Sequence, residues 1–230
     1  METLNNIVLT IQNYMSNYIL VIALLGAGLW FSIRLGFIQV RGFGESMRRT
    51  FGGLFSKKGA AGKDGMSSFK ALATAIAAQV GTGNIAGAAT ALAIGGAGAI
   101  FWMWIAAFLG MATIYAEALM AQKYKTVGAD GQVTGGPVYY IRAAFKGTFG
   151  KVLAGIFAVL ITLALGFMGN AVQSNSIAAA FHTAFGIPQW IMGVVVAVIA
   201  LFVFAGGIER IAKVTETIVP LMAALYIVGA

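Results

Sequence analysis

Residues Ser67–Gly98 read SSFKALATAIAAQVGTGNIAGAATALAIGGAG, and the reading of this stretch decides the fold. It is apolar enough for a bilayer, yet Gln79-Val80-Gly81-Thr82-Gly83-Asn84 interrupts it near its middle. Each glycine beside Thr82 weakens a helix by about 1 kcal/mol. Backbone that unwinds at bilayer depth is tolerated only where protein buries it or a cavity receives it. The climb from Phe69 to Gly81 is roughly 18 Å at helical rise. That brings the interruption near the midplane of a core about 30 Å thick. A helix broken there offers carbonyls from its first half to a cation and N–H groups from its second half to an anion. The stretch therefore predicts a binding site at the break, of the kind an ion-coupled carrier needs.

Composition agrees with a bilayer setting. Of 230 residues, 60% are hydrophobic and 10% charged, with a mean hydropathy of +0.88. A soluble domain carries roughly 25% charged residues, so the chain is expected to be an all-α integral membrane protein. The absence of cysteine excludes disulfides and thiolate metal sites. No cleavable signal pattern is read in METLNNIVLTIQNYMSNY, which lacks a basic lead. No enzymatic role is expected. A net charge of +8 could serve nucleic acid, so its distribution has to be examined.

Six apolar spans are expected, at residues 18–33, 69–97, 99–122, 152–180, 190–206 and 214–230, the second of them broken near its middle. With residues 34–70 placed in the cytoplasm, Lys57 and Lys58 lie inside with Arg34, Arg41, Arg48, Arg49, Lys63 and Lys70. Lys123, Lys125, Arg142, Lys146, Lys151, Arg210 and Lys213 then fall on that same side, while the turns near 95–98 and 181–189 carry no Lys or Arg. All fifteen basic residues thus share one face of the membrane, which is the positive-inside pattern. The expectation is a multi-pass protein of the plasma (inner) membrane with its N-terminus outside. Its basic charge serves anionic headgroups and no nucleic acid.

Taken in order, residues 1–40 read as an outer N-terminal segment followed by an extra transmembrane helix, with residues 1–17 forming a short surface helix. Residues 41–66 read as a basic cytoplasmic loop, and Ser67 or Ser68 as an N-cap for the broken helix. Trp102 and Trp104 mark an outer interface in the third span. Its single charge, Glu117, is read as lying near the cytoplasmic boundary and pairing with a basic residue rather than as a coupling group. Gly135-Gly136-Pro137 ends one backbone course and starts a short helix with proline in its first turn, docked at the interface by Tyr139 and Tyr140.

The fourth run, 152–180, exceeds the roughly 20 residues needed to cross and must tilt or protrude. Asn170, Gln173 and Ser174 share a face by spacing, and line an outer vestibule or bond to neighbouring helices. His182 is read as a surface residue of the outer turn, and Pro220 as tolerable within the last span. The chain ends inside an apolar run, so it is expected to be part of a longer protein. Gly81-x-Gly83-x-x-Ala86 fits a dinucleotide fingerprint, but no strand precedes it and no acid follows at the required distance. Gly83 and Gly87 also form a GxxxG pair, whose ordinary use is close helix packing.

Three segments, AQVGTGNIAGAATALAIGGAGAIFWMW (78–104), TGGPVYY (134–140) and GNAVQSNSIA (169–178), together resemble the alanine/glycine:cation symporter family. The resemblance implies a sodium-coupled carrier of small neutral amino acids, with the inverted-repeat fold of the bacterial leucine transporter. Residues 67–230 would then be the first five-helix repeat, and the second repeat would be a missing partner. The same resemblance implies sodium as coupling ion, held by the Asn84 side chain and the carbonyls of Ala77, Gln79 and Val80, with no other cofactor. It places the substrate carboxylate on the N–H groups of Gly81, Thr82 and Gly83, with Gln79 and Thr82 as further polar contacts. The alternative is a stand-alone channel or regulatory subunit that uses Gly81–Asn84 only for helix packing.

Overall fold

The computed structural model describes residues 2–52, 68–128 and 133–229. Lys57, Lys58, Lys63 and the N-cap expected at Ser67 lie outside these residues. The chain divides into two compact units, one of residues 1–43 and 95–160, the other of residues 44–94 and 161–230.

Among the described residues, four helices are long and apolar enough to cross a membrane: Thr3–Arg34, Gly98–Lys123, Gly147–Phe185 and Gly207–Gly229. Gly83–Gly95 and Gln189–Phe204 are shorter apolar helices. The buried apolar residues are mostly small, namely Ala73, Ala112, Ala116, Ala154, Ala178 and Ala212, with Met192 and Val219. Large side chains such as Trp104, Leu165, Phe202 and Leu225 point outward. A membrane helix seam favours small residues because lipid solvates the large ones as well as protein does.

In the first unit, α1 (Glu2–Tyr14) runs through a π-helical stretch, Met15–Leu20, into α2 (Val21–Arg34). The short surface helix expected at residues 1–17 is therefore continuous with the span behind it. Residues 1–17 contain no glycine or proline to stop it. The helix α2 packs on α7 (Gly98–Lys123). A Cβ at Gly28 would lie 2.8 Å from the Leu109 Cβ and 3.0 Å from its carbonyl, so glycine permits this approach. One turn on, the fully buried Ser32 hydroxyl donates to the Gly28 carbonyl at 2.7 Å. It accepts from Gln39 Nε2 at 2.8 Å, which ties α3 (Ile38–Arg41) back to α2. The next helix, α4 (Phe43–Phe51), belongs to the second unit from residue 44 onward. Its Glu45 pairs with Arg48 and with Arg49, and the bond from Arg49 holds the carboxyl below its usual range.

After α7 comes a small hairpin, β1 (Thr126–Val127) with β2 (Val133–Thr134), antiparallel and in register Thr126 to Thr134. It is an addition to the all-helical expectation. The helix α8 (Pro137–Ala144) starts with proline in its first turn, after Gly136 at φ +106°, as the Gly-Gly-Pro motif predicts. Tyr139 donates to Thr134 Oγ1 at 2.9 Å, so it binds α8 to the hairpin. Burial, with a smaller contribution from the Glu117 charge, raises the pKa of Tyr140. Glu117 itself is exposed and forms no ion pair among the described residues.

In the second unit, α5 (Ser68–Gln79) packs on α12 (Gly207–Gly229), with Thr74 Oγ1 and Thr215 Oγ1 at 3.3 Å. Ala73 and Ala212 are buried beside these threonines. Pro220 is carried inside α12. The Gly147–Phe185 helix starts in the first unit as α9 (Gly147–Ile161) and continues in the second as a π-helical stretch, Thr162–Gly169, and α10 (Asn170–Phe185). It ends at Gly186 with φ +70°, and His182 in its last turn lies 3.1 Å from the Ile187 carbonyl. The helix α11 (Gln189–Phe204) packs on both α10 and α12.

Candidate functional site

The helix α5 stops where the glycines predict. Its last ladder bond runs from Val80 N–H to the Ile76 carbonyl at 2.8 Å. The next donor, Gly81 N–H, turns to Asn84 Oδ1 at 3.1 Å. The Asn84 N–H donates back to the Gly81 carbonyl at 3.1 Å. In an unbroken helix Gly81 would serve the Ala77 carbonyl and Asn84 that of Val80. Both carbonyls lose their helical donors to this exchange. A π-helical turn, Gly83–Gly87, then leads into α6 (Ala88–Gly95). Among the described residues, the Thr82 and Gly83 N–H groups have no backbone acceptor. They stand at the free end of the Gly83–Gly95 helix, where the helix dipole favours an anion.

The break faces a cavity of about 390 Å³, within the same unit, lined on one side by residues 78, 79 and 81–84. Met168, Gly169, Val172 and Gln173 line the other side. Its volume falls in the range of roughly 300–1,000 Å³ usual for ligand pockets. Gln79, Gly81, Thr82, Gly83 and Asn84 thus come together at one surface. Ala77 and Val80 are not among its lining residues.

Gln173 is the principal residue that sequence reasoning left unassigned. A Cβ at Gly81 would lie 3.2 Å from its Nε2 and 3.5 Å from its Oε1, so the amide sits directly on the break. The shared face with Asn170 and Ser174 gave the signal. Asn170, however, turns back to the Gly166 carbonyl at 3.0 Å. Both walls adjoin π-helical stretches, Gly83–Gly87 and Thr162–Gly169. Such turns recur at functional sites because they leave backbone groups off the regular ladder. A Cβ at Gly83 or at Gly87 would meet nothing within 4 Å among the described residues.

The lining carries amides, a hydroxyl and backbone groups, with no ionised side chain. Such a set suits a hard alkali cation and a zwitterion, each bound by dipoles rather than by counter-charge.

Four helices long and apolar enough to cross a membrane among the described residues, beside a neutral polar cavity at a broken helix, mark a multi-pass membrane protein. The chain belongs to the sodium:alanine symporter family, whose model matches residues 1–230. It is 42% identical over 226 residues to the sodium/alanine symporter AgcS of Methanococcus maripaludis, covering 97% of this chain and 49% of that protein. It is 47% identical over 204 residues to the putative sodium/proton-dependent alanine carrier protein YrbD of Bacillus subtilis, covering 89% and 40%. The probable sodium/glutamine symporter GlnT of the same organism is 41% identical over 226 residues, covering 98% and 46%. The chain spans about half the length of these curated relatives.

Proposed function

We propose that the chain forms the ion- and substrate-binding half of a sodium-coupled symporter for small neutral amino acids, alanine or glycine. The observation that carries this reading is the Gly81–Asn84 exchange, which opens the helix toward a neutral cavity. Sodium is held by Asn84 Oδ1 and by the carbonyls of Ala77, Gln79 and Val80. An amide oxygen has two lone pairs, so Asn84 can accept from Gly81 and still face the ion. The substrate carboxylate takes the Thr82 and Gly83 N–H groups, and Gly81 N–H where Asn84 yields it. Gln79 and the Thr82 hydroxyl add polar contacts, and Gln173 closes the opposite wall. Relatives named for alanine and for glutamine, both neutral, support a neutral substrate.

In this reading six spans cross the inner membrane with the N-terminus outside. Residues 1–40 supply the extra helix, residues 41–66 a cytoplasmic loop, and residues 67–230 the first five-helix repeat of a leucine-transporter-type fold. An inverted second repeat completes the site, and the remaining half of the relatives' length is long enough to supply it. Uptake of labelled alanine by the complete carrier, with sodium and with potassium in its place, tests the proposal. Sodium-dependent uptake that a decarboxylated analogue fails to inhibit is expected. Equal inhibition by the simple amine of the same side chain would remove the carboxylate site, and no sodium dependence would remove the coupling.

A further inference from the structure

We propose a second site, for the phosphate-bearing headgroup of an anionic lipid, in the groove lined by α8 and the start of α9. The groove has a volume of about 310 Å³ and is lined by Val138, Arg142, Lys151, Ala154, Gly155 and Ala158. Arg142 stands in the last turn of α8. Lys151 lies in the opening turns of the Gly147–Phe185 helix. The two cations therefore flank the point where a membrane-crossing helix leaves the headgroup region. Among the described residues, neither forms an ion pair, and the lining contains no acid.

The rest of the wall is small and apolar. A Cβ at Gly155 would meet nothing within 4 Å, so the cleft is open at that position of α9. Two cations over a narrow hydrocarbon cleft match a phosphate joined to an acyl chain. Basic pockets beside membrane helices recognise such headgroups. The long stems of Arg142 and Lys151 suit the transition, because each buries carbon while its charge stays at the interface. An acidic peptide would use the charges and leave the cleft empty. The site depends on the membrane setting of these helices and not on the transport reading.

The test uses the chain purified in neutral detergent, with phosphatidylglycerol or phosphatidylcholine added and bound lipid read by native mass spectrometry. The parent is expected to retain phosphatidylglycerol in preference to phosphatidylcholine. Arg142→Ala with Lys151→Ala should weaken that binding roughly 30-fold, the worth of two basic residues at a lipid surface. Gly155→Leu fills the cleft, keeps both charges and faces open space, so it decides the question if the double variant fails to fold. It too should lose phosphatidylglycerol while its unfolding temperature without lipid stays that of the parent. Excess inorganic phosphate should not displace the lipid; displacement would make this a free-phosphate site and overturn the lipid assignment. Parent-like phosphatidylglycerol binding by Gly155→Leu, or equal retention of both lipids by the parent, would overturn it as well.

Discussion

Gly81 and Asn84 hold each other by two hydrogen bonds: Gly81 N–H donates to Asn84 Oδ1, and Asn84 N–H donates to the Gly81 carbonyl, each at 3.1 Å. The pair closes a short loop across Thr82 and Gly83, and so fixes where α5 ends. It satisfies three backbone groups, the two N–H donors and the Gly81 carbonyl, which would be costly to leave unpaired in an apolar setting. It also turns the Asn84 amide by geometry rather than by charge. A methyl at 81 would press on Gln173, 3.2 Å from its Nε2, so that amide would have to give way by a few tenths of an ångström.

Gly81→Ala should therefore act through Gln173. The new methyl lies 3.2 Å from Gln173 Nε2, tight enough that the amide must move. Overpacking of this kind costs about 1–3 kcal/mol, or roughly 5- to 150-fold in substrate affinity. Shortening the partner makes room, so Gly81→Ala with Gln173→Ser in the complete carrier should recover part of the loss. Alanine binding measured across the four proteins gives the coupling. Strict additivity of the two losses would show that the contact does not govern the site.

Gly28 and Gly26 offer a paired test of the α2–α7 seam. A methyl at Gly28 meets Leu109 at 2.8 Å, whereas one at Gly26 meets nothing within 4 Å. Gly28→Ala should lower stability by about 1–3 kcal/mol. Gly26→Ala should be neutral or slightly stabilising, since alanine is the better helix former. Thermal unfolding in detergent compares them. Equal effects at the two positions would refute the close approach at Leu109.

The break was legible because Gly81 and Gly83 carry a helix penalty whatever surrounds them, and Pro137 after Gly136 was legible for the same local reason. Other features depend on contacts that no single stretch encodes. The polar residues Asn5, Asn6, Gln12 and Asn13 read as a segment leaving the membrane. Helix continuity, however, depends on the absence of a breaker, and the structure carries α1 straight into α2. The hairpin at Thr126 and Thr134 has strands of two residues each, too short to show alternation. TLALGFMG (162–169) is uniformly apolar, so nothing in it separates an i→i+4 ladder from the i→i+5 ladder it adopts. Gln173 could be placed on a face by spacing, but its partner, Gly81, lies in a distant part of the chain.

These 230 residues contain no cysteine, so orientation can be checked with single cysteines introduced here in a complete carrier cleared of any others. Single cysteines at Lys57, Tyr139 and Gly186 would be probed in intact cells with an impermeant thiol reagent. The basic-residue pattern predicts labelling at 186 and protection at 57 and 139. The reverse pattern would invert the topology.

Asn84 carries the coupling prediction. Its Oδ1 is neutral and already oriented by Gly81 N–H. Asn84→Ala in the complete carrier removes one oxygen from the ion and one cap from the helix. A lost charge-assisted contact of about 1.5–3 kcal/mol corresponds to roughly 10- to 150-fold weaker sodium binding. Because coupled ligands act on each other reciprocally, alanine affinity at fixed sodium should also fall, and excess sodium should restore part of it. Capping alone gives a different pattern. Asn84→Ser is also a good cap, so if Asn84 only closes the loop to Gly81, the serine variant would match the parent at every sodium concentration. Serine's oxygen sits one bond nearer the backbone and cannot satisfy Gly81 and an ion in the same positions. The expected outcome is that both variants shift the sodium dependence of alanine binding, alanine more than serine. A parent-like sodium titration in both, at normal expression, would take Asn84 out of the ion site.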